Sequence, residues 1–345
     1  MKRLVLLGAG HAHAIALERF ARRPLPGGVS VVLVTPRPRQ IYSGMVPGYL
    51  AGHYGRDQIT MDCTAMASRA AAELVLGSAA SVDADGSLVR LEDGSELPYD
   101  LLSIDTGSES DLSLPGAELA IPLRPLPGFL AGLEALEGGK VAVVGGGAAG
   151  AEVAMALAHA GFGVALYYDA PMDAALAQAV RNSRVEARIG AAVSAIEPGL
   201  DVLTESTKAR FDAVVLATGP APSRWLRGST LAADERGFLL TDETLRSASH
   251  AAVFAVGDCA TVRGSAHPRS GVHAVRQGAV LERNLRLALG EEGRAKRYAA
   301  PSRSLMLVSC GERRALAMWG GLRARGRLLW RLKDAIDRRW IARFR

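Results

Sequence analysis

The stretch that decides the fold is KVAVVGGGAAGAEVAMALAHAGFGVALYYD, from Lys140 to Asp169. Val141 to Val144 form a short, fully apolar, β-branched-rich run that reads as a buried strand. Gly145, Gly147 and Gly150 then fall in the spacing GxGxxG. Each glycine answers a separate need: a tight turn out of the strand, close approach of backbone to a pyrophosphate, and close packing of helix on sheet. Ala151 to Ala160 read as a helix of small residues, ended by Gly161 and Gly163, and Val164 to Tyr168 as the returning strand. A bare GxGxxG is a weak signal, but here strand, turn, helix and strand come in the order that a dinucleotide site requires. A phosphate at that helix N-terminus meets unpaired N–H groups and the positive end of the dipole. A transmembrane helix is the rival reading of so long and uncharged a run; its six glycines and Glu152 count against it.

Outward from this unit, the same plan occurs twice. Arg3 to Leu7 read as a strand entering Gly8-Ala-Gly10-His11-Ala-His13, a second nucleotide turn with His13 in place of the third glycine. A helix from Ala12 to Arg22 and a strand from Val29 to Thr35 follow. Thr35 takes the place of the carboxylate that normally binds a ribose there. Pro36 to Gly55 read as a binding loop, Glu73 to Ile104 as a small antiparallel sheet, and Pro115 to Gly128 as a linker. The first unit ends in a strand running into Thr106-Gly107, and the second, after strands at Val185–Ile196 and Leu200–Lys208, in Thr218-Gly219. Ala252 to Val256 then enter Gly257-Asp258, before a helix from Val272 to Leu289, a hairpin near Leu305–Trp319 and a basic helix from Arg327 to Phe344.

The chain has 345 residues, 49% hydrophobic and 22% charged, which suits two globular units with separate cores. Three cysteines, Cys63, Cys259 and Cys310, lie far apart with no CxxC, so no disulfide framework or zinc spacing is expected, and a reducing cytoplasm fits. No targeting segment is read at the N-terminus, because the apolar run Leu4–Leu7 is too short. Gly311 to Arg345 hold eleven Lys and Arg against three acids, so the tail carries the positive net charge and the body is near neutral. No nucleic-acid partner is expected.

Two glycine turns, two Thr-Gly strand ends and a late Gly-Asp before a helix resemble the pyridine nucleotide-disulfide oxidoreductase superfamily, within it the type II NADH dehydrogenase-like branch. GAGHAH (Gly8–His13), YSGMVPGYLAGHY (Tyr42–Tyr54), SIDTGS (Ser103–Ser108) and WRLKDAIDRRW (Trp330–Trp340) are most similar to the oxidoreductase fused in front of selenide, water dikinase. The fold class implied is α/β, with two Rossmann-like domains, the FAD domain (1–110 and 245–290) interrupted by the NAD(P)H domain (111–244), and a C-terminal region over 291–345.

The resemblance implies that Gly8 and Gly10 hold the FAD pyrophosphate, that Asp258 binds the flavin's ribityl or phosphate end, and that Gly145, Gly147 and Gly150 hold NAD(P)H. It places Glu152 near the nicotinamide, although a carboxylate at a helix N-terminus is also favoured by the dipole alone. Asp169, one place beyond the expected slot, favours NADH over NADPH. Arg276 is a candidate cation beside the reduced flavin's N1 and O2, with plain surface solvation as the alternative. His11 and His13 lack the further ligands a metal needs and are assigned to pyrophosphate or flavin contacts. The paired cysteines of disulfide reductases are absent; the sulfide:quinone pattern would need Cys63 and Cys310 to meet.

The implied activity is an FAD-dependent NAD(P)H oxidoreductase delivering electrons to a small acceptor, with a quinone as candidate. Reduction of a selenium or sulfur species and a flavin-binding redox sensor are the alternatives. In the tail, Leu329, Leu332, Ile336 and Trp340 recur at helical spacing amid Arg331, Lys333, Arg338 and Arg339. That face suits either an anionic membrane surface, placing the protein peripherally on the inner face of the cell membrane, or packing on the body or a second copy in a homodimer.

Overall fold

Strand Lys2–Leu7 is the middle of a five-stranded sheet, and its residues Leu4 to Leu7 are buried on both faces. Two-sided burial explains why the run is continuously apolar instead of alternating. In this computed structural model, which describes residues 1–265 and 267–345, the sheet order is Val253–Ala255, Leu101–Ile104, Lys2–Leu7, Val29–Thr35, Ala72–Leu76, all parallel. A second parallel sheet repeats the scheme in the order Ile121–Pro122, Ala213–Leu216, Lys140–Val144, Gly163–Tyr168, Glu186–Ile189. Each carries a three-stranded antiparallel sheet, at Ala79–Pro98 in one and Val193–Arg210 in the other. The expected pair of Rossmann-like units is present.

Several boundaries differ from the sequence expectation. Ala72–Leu76 belongs to the parallel sheet, not to the antiparallel one. The single strand read over Val185–Ile196 is two strands in different sheets, divided at Gly190. Helices Cys63–Arg69, Leu126–Glu134 and Ala174–Arg181 lie where no helix was read. The first and third are short, and their clearest mark is an aspartate cap: Asp62 accepts from Ala65 N, and Asp173 from Ala175 N and Leu176 N. Leu226, Leu231 and Leu239 pack with Val5 and Val34, so the chain re-enters the first unit well before residue 245, the expected boundary.

The C-terminal region is a three-stranded antiparallel sheet, Met306–Ser309, Ala315–Trp319 and Leu322–Gly326, followed by helix Arg327–Ile341. The predicted hairpin thus has a third strand. Trp340, Ile341 and Phe344 are buried in the main core, whereas Leu328, Leu332 and Ile336 are 76%, 45% and 47% exposed. The apolar face read from the sequence is therefore split: Trp340 turns inward and a different stripe, i to i+4 to i+8, faces out. Among the described residues, no helix is long and apolar enough to cross a membrane.

Candidate functional site

The first turn joins Leu7 to helix His11–Arg22, and three features hold its shape. Gly8 has φ +95°, and a Cβ there would sit 2.4 Å from the Asp105 carbonyl oxygen. His13 fills the place of the third glycine. Its Nδ1–H donates to the Gly8 carbonyl (2.6 Å), which leaves Nε2 to accept from the Ser103 hydroxyl (2.8 Å). Burial lowers its pKa to about 4, so the ring is neutral. Asp105 caps the helix: one carboxylate oxygen accepts from Ala12 N (2.9 Å) and His13 N (3.0 Å). Burial raises the Asp105 pKa to about 6 despite both bonds. A Cβ on Gly10 would lie 2.3 Å from this carboxylate. Gly10 is therefore required by Asp105 itself, a reason the sequence reading had assigned to phosphate approach alone.

Beside the turn, two cavities of about 490 Å³ and about 200 Å³ share Gln40, Asp105, Thr106 and Ser108 in their walls and form one trough. The larger end includes Gly8 and Thr35; the smaller includes Gly10, His11, Gly107 and Asp258. The Oγ1 atoms of Thr35 and Thr106 are buried there with no hydrogen-bond partner among the described residues. A buried hydroxyl left unpaired is costly, so the trough is shaped for a ligand that brings polar groups to both. A dinucleotide with its ribose and phosphate oxygens meets that requirement, and the trough's residues fit FAD. Asp258 is held by Arg124, whose guanidinium donates to its carboxylate at 2.7 Å and also to the Ser108 hydroxyl. Gly257 takes φ +69°, and its N–H donates to Gln277 Oε1 (2.7 Å).

The central turn is open where the first is closed. Gly145, at φ +118°, lies against the Ala217 carbonyl as Gly8 does against Asp105, and a Cβ on Gly150 would stand 2.0 Å from the Gly145 oxygen. At Gly147 a Cβ would meet nothing within 4 Å. Among the described residues, no side chain caps helix Ala148–His159, which leaves its first N–H groups without a side-chain acceptor. This end fits a second dinucleotide. Tyr168 packs beside the turn, Asp169 is exposed just beyond it, and the exposed Thr218 donates to the Asp111 carbonyl (2.7 Å) next to Gly219.

Other expected residues sit elsewhere. Glu152 lines neither end of the trough; it is mostly buried beneath the C-terminal sheet, where it accepts from Ser309 N (2.7 Å), and burial raises its pKa to about 7. Arg276 is exposed and does not line the trough; its helix contributes Gly271 and Ala274 instead. All three cysteines are free and buried, with Cys63 and Cys259 pushed up to about 12, far from thiolate reactivity. The required Cys63–Cys310 pair does not form. Among the described residues, no group of three or more His, Cys, Asp or Glu is arranged to hold a metal.

Sequence reasoning missed a buried polar network that ties the tail to this site. Tyr42 donates to Asp337 (3.0 Å), and Lys333 donates to Asp337 (2.7 Å) and to the Gly44 carbonyl (2.6 Å). Trp340 stacks on Tyr42 and tilts against His11, with centroids at 6.0 and 5.7 Å. These residues stand inside the quoted Tyr42–Tyr54 and Trp330–Trp340 stretches, but nothing in either alone shows that they touch. Asp105 had a readable signal: it takes the place held by Ala217 in the second repeat.

A family model described as "Pyridine nucleotide-disulphide oxidoreductase" matches residues 2–278. The chain is 32% identical over 190 residues to the nitric oxide reductase FlRd-NAD(+) reductase of Aeromonas salmonicida, covering 50% of this chain and 48% of that protein. It is 28% identical over 285 residues to the probable ferredoxin reductase CtmF of Castellaniella defragrans, covering 74% and 67%. The chain thus spans about half the length of the first of these relatives and two thirds of the second. The fold is shared with the sulfide:quinone oxidoreductase of Aquifex aeolicus at TM-score 0.78 and 16% identity, over 100% of this chain and 92% of that one.

Proposed function

The chain belongs to the pyridine nucleotide-disulphide oxidoreductase family, and from that premise we propose an FAD-dependent NAD(P)H oxidoreductase with one dinucleotide at each turn. The observation that carries the reading is the trough at the first turn with its two partnerless threonine hydroxyls, set against an open, uncapped helix at the second. FAD, when bound, supplies the hydride and electron chemistry. The protein's part is to bind and orient. Thr35 and Thr106 offer hydroxyls to one dinucleotide, and the Arg124–Asp258 pair fixes a carboxylate at the trough's narrow end. Gly147 and the N–H groups behind it receive the phosphates of the other. Asp169 at the adjoining strand end favours NADH. Glu152 ties the central helix to the C-terminal sheet through Ser309 N, and Lys333 ties the tail helix to the Gly44 carbonyl; Arg276, being exposed, is assigned no catalytic part. Anaerobic addition of NADH to the purified yellow protein tests the proposal, with rapid bleaching of the flavin band expected. A band that persists with NADH and NADPH but bleaches with dithionite would replace the enzyme with a flavin-binding sensor.

For the acceptor we propose a lipid-soluble quinone, supported by the exposed Leu328, Leu332 and Ile336 stripe flanked by Arg331 and Arg339. The relatives' names point to protein acceptors instead, and a quinone-against-ferredoxin rate comparison decides between them. The same stripe could be buried by a second copy of the chain, in which case sedimentation would show a dimer. Thiol-dependent reduction of sulfur or selenium species draws no support from three buried, protonated cysteines. The narrower kinship, with the oxidoreductase fused to selenide, water dikinase, would be supported by a selenium compound serving as acceptor.

A further inference from the structure

A cleft of about 770 Å³ lies away from both nucleotide turns. Its walls carry Arg184, Arg313, Arg327, Arg331, His53 and His159, against a single carboxylate, Glu312. Glu312 leans toward Arg314, 4.0 Å away and outside the wall. Among the described residues, none of the four guanidinium groups is engaged in an ion pair. Arg325 stands behind Cys310 in the cleft wall, its buried Nε without a hydrogen-bond partner, and adds to the same positive field. Like charges gathered around a concave surface repel one another, and the concavity concentrates their field on whatever anion enters.

The cleft's position separates it from the coenzymes. Helix Ala148–His159 begins at Gly147 and runs back along the sheet, so His159 is about 18 Å of helix away. Arg184 lies two residues before strand Glu186–Ile189. The cleft therefore opens at the amino ends of the strands, opposite the edge where dinucleotides bind. None of its lining residues lines the trough. Its other wall is aromatic: Trp330 meets the His53 ring edge to face at 5.6 Å, His53 lies 5.4 Å from His159, and Arg313 sits 5.6 Å over Trp330. The His53 ring is locked by donation from Nε2 to the Gly311 carbonyl (2.6 Å).

We propose that this cleft binds a small anion carrying two or more phosphate groups, held by the guanidinium forks of Arg184, Arg313, Arg327 and Arg331. Planar, permanently charged forks match phosphate oxygens two at a time, and four of them exceed what one monoanion would engage. Inorganic polyphosphates and nucleoside polyphosphates share this chemistry; only the latter bring a base to the Trp330 wall.

Calorimetric titration of the flavin-loaded protein with inorganic tripolyphosphate, and separately with ATP, tests the assignment. Saturable binding is expected, weakened about a hundredfold in Arg313→Ala/Arg331→Ala as two charge-assisted contacts are lost. Arg184→Ala, at an exposed position with no side-chain partner among the described residues, should weaken it about tenfold while leaving reduction by NADH intact. Gly147→Val must leave the affinity unchanged, since it blocks only the central turn. A change in tryptophan fluorescence on binding should disappear in Trp330→Phe. Tighter binding of ATP than of tripolyphosphate, which carries as many phosphates, identifies a nucleotide, and equal or weaker binding an inorganic polyphosphate. No saturable binding, binding that survives Arg184→Ala and the double substitution unaltered, or binding lost in Gly147→Val would overturn the proposal.

Discussion

The two nucleotide turns stand in the same place in their sheets and have opposite interiors. Gly8 and Gly145 both lie against the carbonyl of the residue that follows the neighbouring strand. Beyond that, the first turn is filled with protein: His13 replaces a glycine and bonds the Gly8 carbonyl, and the Asp105 carboxylate occupies helix N–H groups that Gly147's helix leaves free. Ala217 stands where Asp105 would be. A turn that is closed by its own side chains suits a resident group bound once. An uncapped turn suits a coenzyme that comes and goes.

Substitutions that move one turn toward the other test this contrast, and Gly150→Val has the largest expected effect. Its Cβ would lie 2.0 Å from the Gly145 carbonyl oxygen, which is backbone and cannot move aside, so the second unit should fail to fold, seen as lost soluble expression. His13→Ala comes next. It leaves the buried Gly8 carbonyl and Ser103 hydroxyl unpaired and opens a cavity, a loss of about 3 kcal/mol in denaturant unfolding. Unchanged stability would mean that water replaces the ring.

Asp105→Asn has a smaller effect, and its sign depends on pH. Burial raises the folded pKa from 3.8 to about 6, so ionising Asp105 costs folding free energy. Wild-type stability from this group is therefore highest below about pH 4 and falls as pH rises to about 6, by at most about 3 kcal/mol. Asparagine should remove that slope, raising the melting temperature at pH 8 and not at pH 4. It should also tighten flavin retention at pH 8, because a negative charge in the trough is gone. A parallel pair of pH profiles would show that folding leaves the Asp105 pKa at its unfolded value, and so contradict the effect of burial.

The smallest effect expected is at the tail. Cutting the chain near Gly326 is unsuitable, since it would strip Trp340, Ile341 and Phe344 from the core. Leu328→Glu/Leu332→Glu/Ile336→Glu changes only exposed positions and should abolish salt-sensitive co-sedimentation with anionic liposomes while the protein keeps its flavin. Binding that persists would remove the tail's support for a quinone acceptor.

Much of this could be read from the chain because glycine spacing reports backbone conformation directly. Gly8, Gly145, Gly107 and Gly219 all have positive φ, and their repetition outlined both units. What stayed hidden depends on contacts distant in sequence. Arg124 reaches Asp258 across 134 positions, and Tyr42 reaches Asp337 across 295. Arg124 sits in a stretch read as a linker, where composition carries no sign of a partner. The tail misled for a related reason: helical periodicity identifies an apolar face without saying which part of it the body covers, and Trp340 was on the covered part.

The central claim is that the turns divide the labour, one holding flavin and the other the reductant. Gly147→Val examines it directly, because the added side chain enters open space and should leave the fold intact. In anaerobic stopped-flow, this variant should purify yellow, bleach with dithionite and fail to bleach with NADH. A variant that loses its flavin, or that NADH reduces at the wild-type rate, would contradict the account.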